Sequence, residues 1–334
     1  MDRPETVIAL WRAADGHLPS HRRTETRRVT TRRSPWLCLL LLIASVGCAS
    51  KPATPSVPAA SSVKDSLGRT VSLPKLPERI VSLAPAATEI LFAVGLGPKV
   101  VAVTTFDNFP EDVKALPKVG GFSSSTISLE AIVAQRPDLV ICAGSLQQPT
   151  MEALEKLGIP AFASEPTTFA ETVASMAAIG EVCGTSEKAT VVVADFRKRL
   201  DDVKRRAAAA TAAKPQVLFV VGVEPLLAAG PKTFLGEAIE LAGGRNLLVG
   251  VPEQYPRVSE ELLFAKEPDL ILGLSGEHGG VVADLAKRPS WVNLKAVKAG
   301  RIVAIPDDLI ARAGPRLIEG LEAVERAIRA ASTP

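Results

Sequence analysis

From residue 79 onward, short apolar runs alternate with amphipathic segments. RIVSLAP (79–85), KVVAVT (99–104), DLVICA (138–143) and IPAFAS (159–164) read as strands. Between them, ATEILFAVGLG (87–97), SLEAIVAQR (128–136) and TMEALEKLG (150–158) read as helices. Glycines close the first, and Ser128 is the candidate N-cap of the second. The same grammar returns after residue 215. QVLFVVG (216–222), DLILGL (269–274) and RIVAIP (301–306) are strand-like; FLGEAIELAGG (234–244), SEELLFAKE (259–267) and PRLIEGLEAVERAIRAA (315–331) are helix-like. Strands alternating with helices predict α/β units with a largely parallel sheet.

One stretch repeats. ISLEAIVAQRPDLVICA (127–143) aligns without gaps to VSEELLFAKEPDLILGL (258–274), and six of 17 positions are identical. The shared Ser-x-Glu start and Pro-Asp-Leu centre point to a duplicated helix–Pro–strand unit rather than to convergence. Between the copies, residues 186–213 lack Gly and Pro, and Val192, Phe196, Leu200 and Val203 mark one apolar face. As a helix these 28 residues span roughly 42 Å. The predicted fold is therefore α/β: two similar Rossmann-like lobes, 64–184 and 214–334, joined by a single long backbone α-helix at 185–213, with a ligand cleft between the lobes. A Gly-rich hinge is absent, so small lobe movements are expected.

Length and composition suit this reading. The chain has 334 residues, 47% of them hydrophobic and 22% charged, enough for two packed domains. The formal charge of +3 misleads, because residues 1–48 hold eight Arg and four acids while the remainder is net −1. A nucleic-acid-binding protein would carry its basic excess in the folded body, so no nucleic-acid partner is expected. Of three His, only His278 lies beyond residue 48, so a site needing several histidines is excluded.

The basic N-terminus reads as an address. The apolar run WLCLLLLIASV (36–46) is too short for a membrane span of roughly 20 residues and follows Arg27, Arg28, Arg32 and Arg33. It ends in Ser45-Val46-Gly47-Cys48, which resembles a bacterial lipoprotein signal with Cys48 as the lipidated residue. Ser45 stands where Leu is usual, and an ordinary secretory signal is the alternative. Residues 1–28 read as an over-extended start, with translation beginning near Val29. The Pro/Ala/Ser-rich stretch 49–63 is expected to be a disordered tether. The body then faces the periplasm or the extracellular side of the cytoplasmic membrane, held in the cell envelope by its lipid. Cys142 and Cys183 could pair in an oxidising compartment, but the apolar run around Cys142 favours free thiols.

No catalytic motif is complete. GLSGE (273–277) fails the nucleophile-elbow pattern at its last position, and GPKT (230–233) lacks the first glycine of a phosphate loop. His278 in GEHGG reads as a solvated loop residue. The chain is expected not to be an enzyme and to hold no metal or cofactor.

Five segments carry a resemblance that spans about residues 64–330: IVSLAPAATEILFAVGLG (80–97), TTFDNFPEDVKALPKVGGF (104–122), SLEAIVAQRPDLVI (128–141), YPRVSEELLFAKEPDLIL (255–272) and RPSWVNLKAVKAGRIVAI (288–305). Together they resemble the helical-backbone class of bacterial substrate-binding lipoproteins, which feed ABC importers for vitamin B12, ferric siderophores and haem. The resemblance implies a permease and its ATPase as partners, a small-molecule ligand and a monomeric receptor. In that class one glutamate per lobe docks onto permease arginines; Glu89 and Glu261 match, with Glu260 as the neighbouring alternative. Two exposed carboxylates set far apart can orient a two-fold symmetric partner.

The cobalamin-binding members match most closely around the cleft. Phe106, Phe122 and Tyr255 match aromatic ligand contacts, and Asp308 and Arg312 match a polar pair near the same ligand. Leu227 replaces an expected aromatic. A cobalamin is large and neutral overall, so apolar walls with few hydrogen bonds suit it. A ferric catecholate siderophore is strongly anionic and would want several cations, for which Arg257 and Arg312 are candidates. Haem would want an axial ligand, which Tyr255 or His278 could supply. Cobalamin, as transported ligand, is the expected cargo; siderophore or haem is the alternative.

Overall fold

The structure is a computed structural model that describes residues 62–211, 213–276, 285 and 288–332. The signal segment with Cys48, most of the tether, and His278 lie outside the described residues. Ser62 and Val63, which the composition assigns to the tether, instead open strand β1 (Ser62–Lys64), which pairs antiparallel with β2 (Thr70–Ser72).

The first lobe holds a parallel sheet of β3 (Ile80–Ser82), β4 (Val100–Ala102), β5 (Leu139–Cys142) and β6 (Ala161–Ala163), in the order β4-β3-β5-β6. Helices α1 (Pro85–Ala93), α2 (Leu129–Ala134) and α3 (Gln148–Lys156) connect its strands. All four residues of β5 are buried, as a parallel strand covered on both faces requires.

The second lobe carries β7 (Gln216–Val223), β8 (Leu226–Ala228), β9 (Arg245–Asn246), β10 (Leu270–Ser275) and β11 (Ile302–Pro306). Their order is β11-β10-β7-β8, with β9 sharing the outer edge of β7 and β8 antiparallel to it. Its helices are α6 (Phe234–Leu241), α7 (Glu260–Lys266), the short α8 (Lys295–Lys298) and α9 (Asp307–Ile310), and the closing α10 (Leu317–Ser332).

Between the lobes run α4 (Phe169–Val182) and the long α5 (Ser186–Ala209). Helix α5 has 24 residues, roughly 36 Å, somewhat shorter than the pattern suggests. Its buried face is Ala189, Val193, Phe196, Leu200 and Val203; Val193 takes the place expected for Val192. The sequence pattern does not reveal α4, because its buried face includes Thr172, Ser175 and Gly180 while its exposed face carries Ala170, Ala174 and Ala177, so the apolar contrast between the faces is weak. Gly180 lets α4 and α5 approach closely, since a Cβ there would collide with the Ala189 methyl. Arg199 and Arg206 of α5 hold Glu322 and Glu325 of α10 through paired hydrogen bonds of 2.6–2.9 Å. One continuous apolar core includes Ile90, Phe169, Phe196, Phe219 and Ile310, and so runs through both lobes and α5.

The repeat occupies equivalent places in the two lobes. Ser128 caps α2 by accepting from the Ala131 amide at 3.1 Å, and Ser259 caps α7 by accepting from the Leu262 amide at 3.2 Å. Each helix runs into a left-handed residue just before its proline, Arg136 (φ 49°) and Glu267 (φ 41°), the two non-glycine positive-φ residues among those described. Asp138 then accepts from the Glu78 and Arg79 amides ahead of β3, and Asp269 from the Gln216 amide that starts β7. Both copies pin a helix–strand unit to the neighbouring central strand by the same device.

Candidate functional site

In parallel α/β sheets, ligand sites form at the carboxyl ends of the strands. Beyond β4 the loop 103–110 lies alongside 117–122, through Val103 with Val119 and through the Thr105 amide on the Gly120 carbonyl at 2.9 Å. This pairing brings the half-buried Phe106 and Phe122 to one end of the first lobe. Gln147, fully buried, ties the neighbouring loops together: its side-chain amide donates to the carbonyls of Leu83 at 2.9 Å and Phe122 at 2.7 Å, and its oxygen accepts from the Ala143 amide at 2.8 Å. Asp107, 4% exposed, accepts from the Thr104 amide and hydroxyl at 2.9 and 2.5 Å through Oδ2, while Oδ1 is buried with no hydrogen-bond donor in range among the described residues. Burial pushes the Asp107 carboxyl above its ordinary value.

The second lobe reaches this loop through a polar clasp. Arg312, on the turn between α9 and α10, donates to Asn108 Oδ1 at 2.7 Å and to the Phe106 carbonyl at 3.1 Å. The same guanidinium pairs with Asp308 at 2.6 Å and with Glu89 at 3.5 Å. Asn108 Nδ2 donates to Asp308 Oδ2 at 2.9 Å. Arg316 grips Glu89 with two further hydrogen bonds and lies over the Phe109 ring, 3.9 Å from its centroid. Burial raises the Glu89 carboxyl, with the hydrogen bond and charge of Arg316 opposing it. Burial would lower Arg316, but Glu89 reverses this and its pKa stands above the ordinary value.

Three expectations change here. Glu89 is not an exposed docking carboxylate: it is 3% exposed and serves as the anion of the clasp. Arg312 and Asp308 stand where a ligand-facing pair is expected, but Arg312 is buried and both its terminal nitrogens donate to protein acceptors. Tyr255 is not an open wall residue. It is 8% exposed, belongs to the shared core, and burial pushes its phenol up to about 12. Its loop pairs with the β8 edge, where the Ala228 amide donates to the Pro256 carbonyl and Leu227 bridges to Arg257. Phe106 and Phe122 keep half-buried positions beside the clasp. A separate cavity of about 490 Å³ lies against the β1–β2 hairpin and α4, lined by residues such as Lys64, Ser145, Glu165 and Glu171; none of the expected ligand residues lines it.

The carboxylate equivalent to Glu261 was already visible in the repeat. Glu261 aligns with Glu130, not with Glu89. Both stand two residues beyond their capping serine, and both are exposed. Glu261 is held below its ordinary value by its own backbone amide and by the Ser259 hydroxyl. Glu260 beside it is engaged within the chain, by Ser290 at 2.8 Å and Arg288 at 3.6 Å. Cys142 and Cys183 are buried and unpaired with each other. Among the described residues there is no cluster of metal-ligating side chains.

Two α/β lobes joined by a long helix, meeting at strand-end loops, define a two-lobed solute receptor. The periplasmic binding protein family matches residues 80–309, and the chain belongs to it, as an ABC-importer substrate-binding protein of the helical-backbone class. An uncharacterized ABC transporter substrate-binding lipoprotein of Bacillus subtilis, YvrC, is 31% identical over 272 residues, covering 80% of this chain and 84% of the relative. The periplasmic vitamin B12-binding protein BtuF of Vibrio cholerae superposes with a TM-score of 0.67 at 29% identity, covering 77% of this chain and 99% of that one. The periplasmic heme-binding protein RhuT from Roseiflexus superposes with a TM-score of 0.69 at 28% identity, again over 77% and 99%. Among the described residues no helix is long and apolar enough to cross a membrane.

Proposed function

We propose that this receptor captures a cobalamin between its lobes and delivers it to the permease of an ABC importer, while tethered to the membrane through Cys48. Vitamin B12 and haem receptors are about equally similar in fold, so side-chain chemistry has to favour one ligand. The observation that carries the reading is the neutralised clasp. Arg312, the cation best situated to meet an anionic ligand, is occupied by Glu89, Asp308, Asn108 and the Phe106 carbonyl. A cleft so neutralised suits a large ligand without net charge better than a polyanionic ferric siderophore. Haem is less well suited because Tyr255, one of the two candidate axial ligands, is packed in the shared core and only 8% exposed.

Glu130 and Glu261 are proposed as the docking carboxylates, one per lobe, in place of Glu89 and Glu261. Their exposure and equivalent helix positions support this. The test of the ligand is calorimetric titration of the chain from residue 49 onward with cyanocobalamin, hemin, a polyanionic ferric catecholate and an uncharged ferric hydroxamate. One-to-one binding of cyanocobalamin alone is the expected result. Binding of hemin or a siderophore in its place would move the assignment to that ligand.

A further inference from the structure

We infer that each lobe presents the permease with a two-part patch, a carboxylate and an exposed apolar side chain one helical turn beyond it: Glu130 with Val133, and Glu261 with Phe264. The inference rests on the docking role proposed for the two glutamates and adds the apolar half. Val133 is 40% exposed and Phe264 41%. Single exposed apolar residues are ordinary on protein surfaces and need no explanation. These two differ because they recur: Val133 and Phe264 are aligned positions of the repeat, as Glu130 and Glu261 are. Three-residue spacing on a helix puts each carboxylate and its apolar partner on one face. The helices are set alike, each with a serine cap at its start and a left-handed residue before a proline at its end.

The occupant this arrangement fits is a partner with two-fold symmetry, each half offering a cation beside an apolar surface. Two like patches on two like lobes match two like halves, which a single asymmetric partner would not need. The carboxylates supply charge complementarity and act at a distance, so they govern encounter and are screened by salt. Val133 and Phe264 act only on contact, so they govern the lifetime of the complex. Because Phe replaces Val in the second lobe, the patches are unequal in size, and that lobe contributes more to the lifetime.

The experiment follows association and dissociation of the full chain on the B12-class importer of the same cells, permease with its ATPases, held in nanodiscs, across a range of salt. With Val133→Ser and Phe264→Ser together, dissociation is expected to be at least tenfold faster while the association rate and its salt dependence persist. Phe264→Ser alone should account for most of the change. With Glu130→Gln and Glu261→Gln, association is expected to slow and lose its salt dependence. An unchanged dissociation rate in the serine variant, with the glutamine variant impaired, overturns the apolar half and leaves the docking role standing. Unchanged kinetics in both variants overturns the docking role and this inference with it. Cyanocobalamin affinity serves as the folding control; Val133→Thr with Phe264→Gln replaces the serine pair if that pair does not fold.

Discussion

Arg316 holds Glu89 across the two lobes with hydrogen bonds of 2.6 and 3.0 Å, and both side chains are largely shielded from water. The carboxylate sits on α1 of the first lobe and the guanidinium just ahead of α10 of the second. With Arg312 on the same carboxylate, this contact closes the clasp that shapes the Phe106 loop.

Breaking the clasp from one side should therefore be costly. Glu89→Ala leaves two guanidiniums without their shared anion, and a loss of about 3–5 kcal/mol is expected in chemical denaturation. Arg316→Met should cost less, because Arg312 still faces Glu89. A Glu89→Ala loss below about 1 kcal/mol would mean that the lobes relax and solvate both arginines.

Asp107 should make stability depend on pH in the direction opposite to an ordinary surface acid. Its folded pKa is raised by burial. The stabilisation is therefore fully present below the unfolded pKa and is lost as pH rises through the folded pKa. Asp107→Asn cannot ionise, so its melting temperature relative to wild type should rise as pH increases from about 4, the unfolded carboxyl pKa, toward neutrality. A difference that stays flat with pH would show that Asp107 does not titrate in this window.

The α5–α10 seam should weaken in acid. The Arg199 hydrogen bond holds Glu322 below its ordinary value, so the stabilisation is present above the unfolded pKa and lost as pH falls through the folded one. The pair is part-exposed, so solvent screening limits it to about 1 kcal/mol or less. Arg199→Met should remove that part of the acid dependence by lowering neutral stability, by about 1 kcal/mol or less, toward the acid value. A full acid limb in the variant would locate the sensitivity elsewhere.

Both cysteines should be silent toward thiol reagents in the folded protein. Burial pushes Cys142 and Cys183 each up to about 12, leaving almost no thiolate at neutral pH. In the chain from residue 49, a disulfide-exchange reagent should label no thiol natively and two after denaturation in guanidinium. Absence of labelling after denaturation would mean that the two pair in solution.

Much of the architecture was legible because its causes are local. Apolar period and turn residues act within a few positions, so β3, β5, β7 and β10 and the helices α2 and α7 stand where the pattern puts them. The repeat even contained the pairing of Glu130 with Glu261, since aligned positions of a duplicated unit take equivalent places. Helix α4 was not legible, because small and polar residues on its buried face and alanines on its exposed face blur the apolar stripe. Tyr255, matched by the resemblance to an aromatic ligand contact, takes its place in the shared core through packing against distant elements.

What the sequence by itself determined, then, is the two-lobed α/β chain, its repeat, its long helix and the chemical types available to a cleft. What only the tertiary structure decided is which charges remain open. Glu89 and Arg316 are 227 residues apart, and nothing in the neighbourhood of either shows that the other will neutralise it. Burial and ion pairing depend on what the rest of the chain brings close, so the clasp became visible only once the two lobes had met.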